Sequence, residues 1–88
     1  MNVEYKKSFL KDIRKIKDRT IRKRLEAVLL ELESVTSIDS VQGAVLLSGT
    51  SEYYRIRVGD YRLGLKVSDE KAHLIRFLSR GKVYKHFP

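Results

Sequence analysis

Apolar and polar positions follow two different periods along this chain, a helical one in the first third and an alternating one in the second half. Met1–Tyr5 is short and β-compatible, with Val3 and Tyr5 on one face. From Lys6 the period becomes helical. Phe9, Leu10, Ile13 and Ile16 form an apolar stripe, with Lys11, Arg14, Lys15 and Lys17 opposite. Asp18 or Thr20 can cap a second helix, in which Ile21, Leu25, Val28, Leu29 and Leu32 recur at helical spacing. Two consecutive amphipathic helices with a tight joint predict a helical hairpin.

Ser34–Gly43 is rich in Ser, Thr and Asp with a terminal Gly, and reads as a loop. Alternation then takes over. In Tyr54–Val58, Tyr54, Ile56 and Val58 point one way and Arg55 and Arg57 the other. Gly59-Asp60 is a two-residue hairpin signal. In Tyr61–Val67, Tyr61, Leu63, Leu65 and Val67 share one face while Arg62, Gly64 and Lys66 share the other. A second turn at Ser68–Glu70 leads to a strand over Ala72–Leu78, where parity groups Arg76 with Arg80 and His73 with Ile75 and Phe77. The expected architecture is α+β, a two-layer β-α-α-β-β-β fold in which the helical hairpin packs on a small antiparallel sheet. Helices need apolar strand residues beneath them, so the face of Tyr54, Ile56, Leu63 and Leu65 is the buried one. Arg55, Arg57 and Arg62 then project together from the open face.

Eighty-eight residues make one domain, 1–88. No run approaches the roughly 18 apolar residues of a membrane span, so a soluble protein is expected. The lack of Cys fits a reducing cytosol and excludes a disulfide framework or thiolate metal site. The net charge of +8 is unevenly spread. Residues 6–24 carry ten Lys/Arg against Asp12 and Asp18; residues 25–54 carry five acids and no Lys or Arg; residues 55–88 carry nine basic residues against three acids. Two basic blocks around an acidic middle suggest a polyanionic partner, nucleic acid first.

Three arginines on one sheet face suit a phosphodiester backbone, because each guanidinium is a planar fork of donors that stays charged. A single exposed strand Arg often has no task; three on one face of a basic protein point to a site. The tail Ser79–Pro88 adds Arg80 and Tyr84. A Tyr among basic residues can stack on a base, although position alone leaves open whether Tyr84 and Phe87 merely close the core. His73 lies within a strand and reads as structural. His86 is the one titrating group near Tyr84. No metal-ligand spacing and no glycine-rich phosphate loop occurs, so neither a metal nor a cofactor is expected.

Leu46-Leu47-Ser48-Gly49, followed by the run from Tyr53-Tyr54-Arg55-Ile56-Arg57 through Val58-Gly59-Asp60-Tyr61-Arg62, resembles the RelE/ParE toxin superfamily of type II toxin–antitoxin systems. The closing segment Arg76–Pro88, with basic residues before a Tyr and an aromatic-Pro end, is similar to the usual end of that family. The resemblance covers nearly the whole chain. It implies a cytoplasmic toxin that enters the ribosomal decoding site and cuts mRNA, as a metal-independent endoribonuclease held in check by a cognate antitoxin. The 2′-hydroxyl would attack the adjacent phosphate and leave a 2′,3′-cyclic phosphate. By the same resemblance, Arg55 and Arg57 match the paired basic positions of the second strand and Arg62 the phosphate-gripping Arg of the third. Arg80 matches the basic residue after the last strand, with Arg76 as the other candidate, and Tyr84 matches the Tyr that stacks on the substrate base. Two features depart from the pattern: Ser79 stands where relatives often carry His, and both paired basic positions, Arg55 and Arg57, are Arg where some relatives have Lys. Arg is a poor general base, which leaves electrostatic stabilisation to this chain and proton movement to ribosomal groups, water or His86. The alternatives are a ParE-like inhibitor of DNA gyrase and an inactive antitoxin-binding module.

Overall fold

β1 (Asn2–Tyr5) runs into α1 (Lys7–Arg14), and a short joint leads to α2 (Arg19–Ser34) in the computed structural model, which describes Met1–Pro88. Asp18 is the residue that caps α2. Its carboxylate accepts from the backbone N–H of Thr20 at 2.8 Å and of Ile21 at 3.2 Å, two donors a helix start otherwise leaves unpaired. Arg22 ties the joint by donating to the carbonyls of Ile16 and Ile13, at 2.6 and 3.0 Å.

A single turn of 3₁₀ helix, Ile38–Ser40, interrupts the loop and buries Ile38, with Val41 just beyond. β2 (Ala44–Leu46), β3 (Tyr53–Val58), β4 (Tyr61–Ser68) and β5 (Lys71–Ser79) follow, and α3 (Arg80–His86) ends the chain. The sheet order is β1-β5-β4-β3-β2. All neighbours are antiparallel except β1 and β5, which run parallel. This is the expected α+β fold with the short edge strand β2 and the helix α3 added, and with β1 joining the otherwise antiparallel sheet parallel to β5. Gly59-Asp60 forms the β3–β4 turn, with Gly59 at φ 59° close under α2, where a Cβ would come within 2.9 Å of Ile21.

The core lies between the helical hairpin and one sheet face, where Phe9, Leu32, Ile56, Leu63, Leu65, Leu74 and Phe77 are almost wholly buried. The predicted facing of β3 and β4 therefore holds. Leu10 departs from the expected apolar stripe: it is 37% exposed, and Asp12 is buried in its stead at 5%. The physical reason lies at the edge of β5. β1 pairs only as far as Leu74, so the rest of β5 presents unpaired backbone groups on that side. α1 takes them over. Lys6 N–H donates to Leu74 O at 3.0 Å, Ser8 Oγ donates to Ile75 O, and Asp12 accepts from Phe77 N–H at 2.9 Å.

The same carboxylate receives two bonds from Arg76, at 2.8 and 3.1 Å, and this hydrogen bonding raises the Arg76 pKa above its ordinary value. Arg76 is thereby occupied by structure. A register shift at Gly64/Leu65 leaves Ile75 without a partner in β4, so Phe77 returns to the face of Leu74 rather than sharing that of His73. Asp12→Ala strands Arg76 and the Phe77 N–H together. Removing one partner of a buried pair costs about 3–5 kcal/mol; Arg76 keeps 28% of its side chain in water, so about 2–3 kcal/mol is expected, read from chemical denaturation.

Candidate functional site

The β3–β4 register gathers the strand arginines. Arg57 lies directly opposite Arg62, and one pair along the same face Arg55 lies opposite Gly64. On the other flank of β3, Val45 of β2 stands opposite Arg55. Like charges facing each other across a ladder destabilise a sheet. No carboxylate pairs with either arginine to relieve this.

α3 sorts its side chains by i, i+4 spacing. It starts where Arg80 N–H donates to Asp60 O at 2.8 Å, next to the β3–β4 turn. Val83 and Phe87 are buried, the latter at the helix end. The Phe87 ring lies over Gly64 and meets Tyr53 edge-on at 5.9 Å between centroids. A Cβ on Gly64 would come within 2.7 Å of that ring, so glycine is what lets α3 lie down on the sheet. The face expected to be open is therefore partly covered. Tyr84, on another side of α3, remains 63% exposed with its ring centroid 5.1 Å from the Arg55 guanidinium carbon. The two aromatic residues of the tail thus have different roles: Phe87 closes the structure and Tyr84 does not. Gly64→Ala is expected to push Phe87 out and loosen α3 at a cost of about 1–3 kcal/mol, the usual scale for overpacking. Faster hydrogen exchange confined to α3 checks this.

Arg55, Arg57, Arg62, Arg80 and Tyr84, together with Gly43 and Val45, line one groove of about 320 Å³, near the lower end of ligand-site volumes. All five residues singled out in the sequence thus meet in one place. Arg57 and Arg80 are exposed, whereas Arg55 and Arg62 are half-buried. Arg62 is held by two bonds from Nη1 to the carbonyls of Gly59 and Tyr61, both 2.9 Å. None of the four guanidinium groups forms an ion pair.

The other candidates lie elsewhere. His73 is largely enclosed between Ser68 and Glu4, His86 lines a different recess on the far side of α3, and Arg76 is bound to Asp12. Gly43, Val45 and Gly64 carry no functional mark in the sequence, and the Val83/Phe87 spacing, at i, i+4, is the signal for the buried side of α3. Chemically the groove offers cations, forked donors and one aromatic face. Such a set of side chains can receive anionic oxygens beside a planar ring.

A family model described as the ParE toxin of type II toxin-antitoxin system, parDE, matches residues 3–84. Toxin RelE3 of Methanocaldococcus jannaschii is 34% identical over 89 residues, which span 100% of both chains. A chain of the RelB-RelE antitoxin-toxin complex from Methanococcus jannaschii superposes with a TM-score of 0.82 at 32% identity, covering 97% of this chain and 99% of that one. A chain of the intact E. coli RelBE toxin-antitoxin complex gives 0.69 at 28%, covering 89% and 94%.

Proposed function

Because this chain belongs to the RelE/ParE toxin superfamily, we propose that it is a ribosome-dependent endoribonuclease that cuts mRNA in the decoding site without a metal. The observation that carries this reading is the meeting of Arg55, Arg57, Arg62 and Arg80, none paired with an acid, beside the exposed ring of Tyr84. Gathering four like charges is unfavourable unless a polyanion relieves it.

In this mechanism the RNA supplies its own nucleophile. The 2′-oxygen bonds to phosphorus, the bond to the 5′-oxygen breaks, and a 2′,3′-cyclic phosphate and a 5′-hydroxyl result. Arg62 and Arg80 grip the phosphate, and Arg55 and Arg57 offset the charge that builds on its oxygens. Tyr84 stacks on a base and fixes the in-line geometry, its ring supported by the Arg55 guanidinium. The groove is lined by no carboxylate or imidazole, so the 2′-proton leaves to water or a ribosomal group, and the 5′-oxygen gains its proton from the same sources.

Stacking makes a distinct prediction at Tyr84. Tyr84→Phe keeps most of the activity, while Tyr84→Ala loses roughly 1–3 kcal/mol of base contact, or about 5- to 150-fold in kcat/KM. A Phe variant as inactive as the Ala variant makes the hydroxyl the essential group.

An enzyme of this kind needs restraint. A small antitoxin with an acidic, partly disordered segment that folds onto the groove or helices would supply it, in keeping with the RelB-RelE complexes to which this fold is similar. The match to a ParE toxin family model keeps the ParE-like alternative, inhibition of DNA gyrase without RNA cleavage, as the second reading. One preparation tested in both assays separates them. Discrete cleavage products in a translation reaction, with gyrase supercoiling unaffected, are expected; supercoiling inhibited with intact mRNA supports the second reading.

A further inference from the structure

α3 has a third side. Lys82 and His86, again at i, i+4, face away from Arg80 and Tyr84 and line a recess of about 410 Å³ between α3, α1 and β5. α1 contributes Asp12 to it, Lys15 follows at the helix end, and β5 contributes Arg76. The Asp12 carboxylate is consumed by Arg76 and the Phe77 N–H, so this acid does not neutralise the recess. Lys15 and Lys82 have no ion-pair partner and leave it cationic. α3 is thus a ridge between two positively charged depressions, the arginine groove on one side and this recess on the other.

We propose that the recess is a second phosphate-binding subsite, holding the same RNA strand after it crosses α3, with Lys15 and Lys82 as its contacts. The proposal rests on the RNA reading of the groove. A helix with its side chains is about 10 Å across, roughly three base steps of a stacked strand at about 3.4 Å each. A strand of several nucleotides therefore reaches both depressions, while a dinucleotide fills the groove alone. The division of residue types fits the two tasks. Arginine forks fix a reacting phosphate in one geometry, and lysine point charges on flexible stems hold a flanking phosphate loosely. The recess contributes affinity and sets the minimum substrate length, without touching the bond that breaks.

The test uses the full chain and two 2′-O-methyl oligonucleotides that cannot be cut, a dinucleotide and a decanucleotide, with affinity followed by anisotropy across a salt series. Each single-strand phosphate contact contributes about 0.7 to the slope of log K against log salt. For the decanucleotide, Lys15→Ala/Lys82→Ala is expected to lower the slope by about 1.4, with the dinucleotide slope and the melting temperature unchanged. Arg55→Ala weakens both oligonucleotides and serves as the control for the groove. An unchanged decanucleotide slope in the lysine variant overturns the proposal, while the effect of Arg55→Ala keeps the RNA reading standing. If neither variant weakens RNA, the proposal falls, and the groove's part in the RNA reading is decided by cleavage on ribosomes with Arg55→Ala. A lysine variant that is impaired only on ribosomes, with free decanucleotide binding intact, assigns these lysines to ribosomal RNA and also overturns the proposal.

Discussion

Arg62→Ala is expected to lower RNA cleavage at least about 100-fold, the scale for losing one donor that acts on transition-state charge, about 2.7–4 kcal/mol. Arg62 faces Arg57 across the β3–β4 ladder and is the groove arginine with side-chain hydrogen bonds to the fold, to the carbonyls of Gly59 and Tyr61. Those bonds hold the guanidinium in place before substrate arrives, and preorganisation is what gives such a donor its effect. They also give the residue a small structural share. Losing them costs about 0.5–1.5 kcal/mol, visible as a modest fall in melting temperature. Arg62→Lys keeps the charge but not the fork, and belongs between Ala and the parent in rate. Single-turnover cleavage alongside thermal melts checks both effects. An Arg62→Ala protein that melts like a core mutant yet cuts normally when cold would remove this residue from the chemistry.

The central part of the fold was legible because period-2 alternation is sharpest where a strand has one wet face. Ile56, Val58, Leu63 and Leu65 alternate with Arg55, Arg57, Arg62 and Gly64, and both the sheet facing and the groove follow from that parity. Ile21, Leu25 and Leu32 likewise reported the buried side of α2. β2 leaves no signal in the sequence because three residues are too few to show a period, and Val45 and Leu46 are exposed at an edge. Gly64 read as an ordinary open-face position, since its purpose lies with Phe87, 23 residues further on. α3 was hidden by its charge. Its apolar face is only Val83 and Phe87, set among Arg80, Lys82, Lys85 and His86.

Asp12 shows the other kind of blind spot. It sits three residues after Phe9 and four before Ile16, inside the apolar stripe of α1. A carboxylate there demands a partner, and its position announces that one exists. Which partner depends on where β1 stops along β5, a tertiary fact that local pattern does not encode.

The reaction class carries the second large effect. Four unpaired guanidinium groups disfavour a metal cation in the groove, and no side chain there is suited to activate water at neutral pH. On the proposed reading the nucleophile comes from the substrate, where a hydroxyl already beside its phosphate carries an effective concentration advantage of about 7–11 kcal/mol when well aligned. Removing that hydroxyl removes the reaction while leaving the phosphate, the base and their contacts in place. The direct measurement is cleavage, on programmed ribosomes, of a messenger with a single 2′-deoxy sugar at the scissile position, beside its all-ribose counterpart. The deoxy messenger is expected to bind with similar affinity and stay intact. Cutting of that messenger at an undiminished rate would make water the nucleophile and contradict the mechanism.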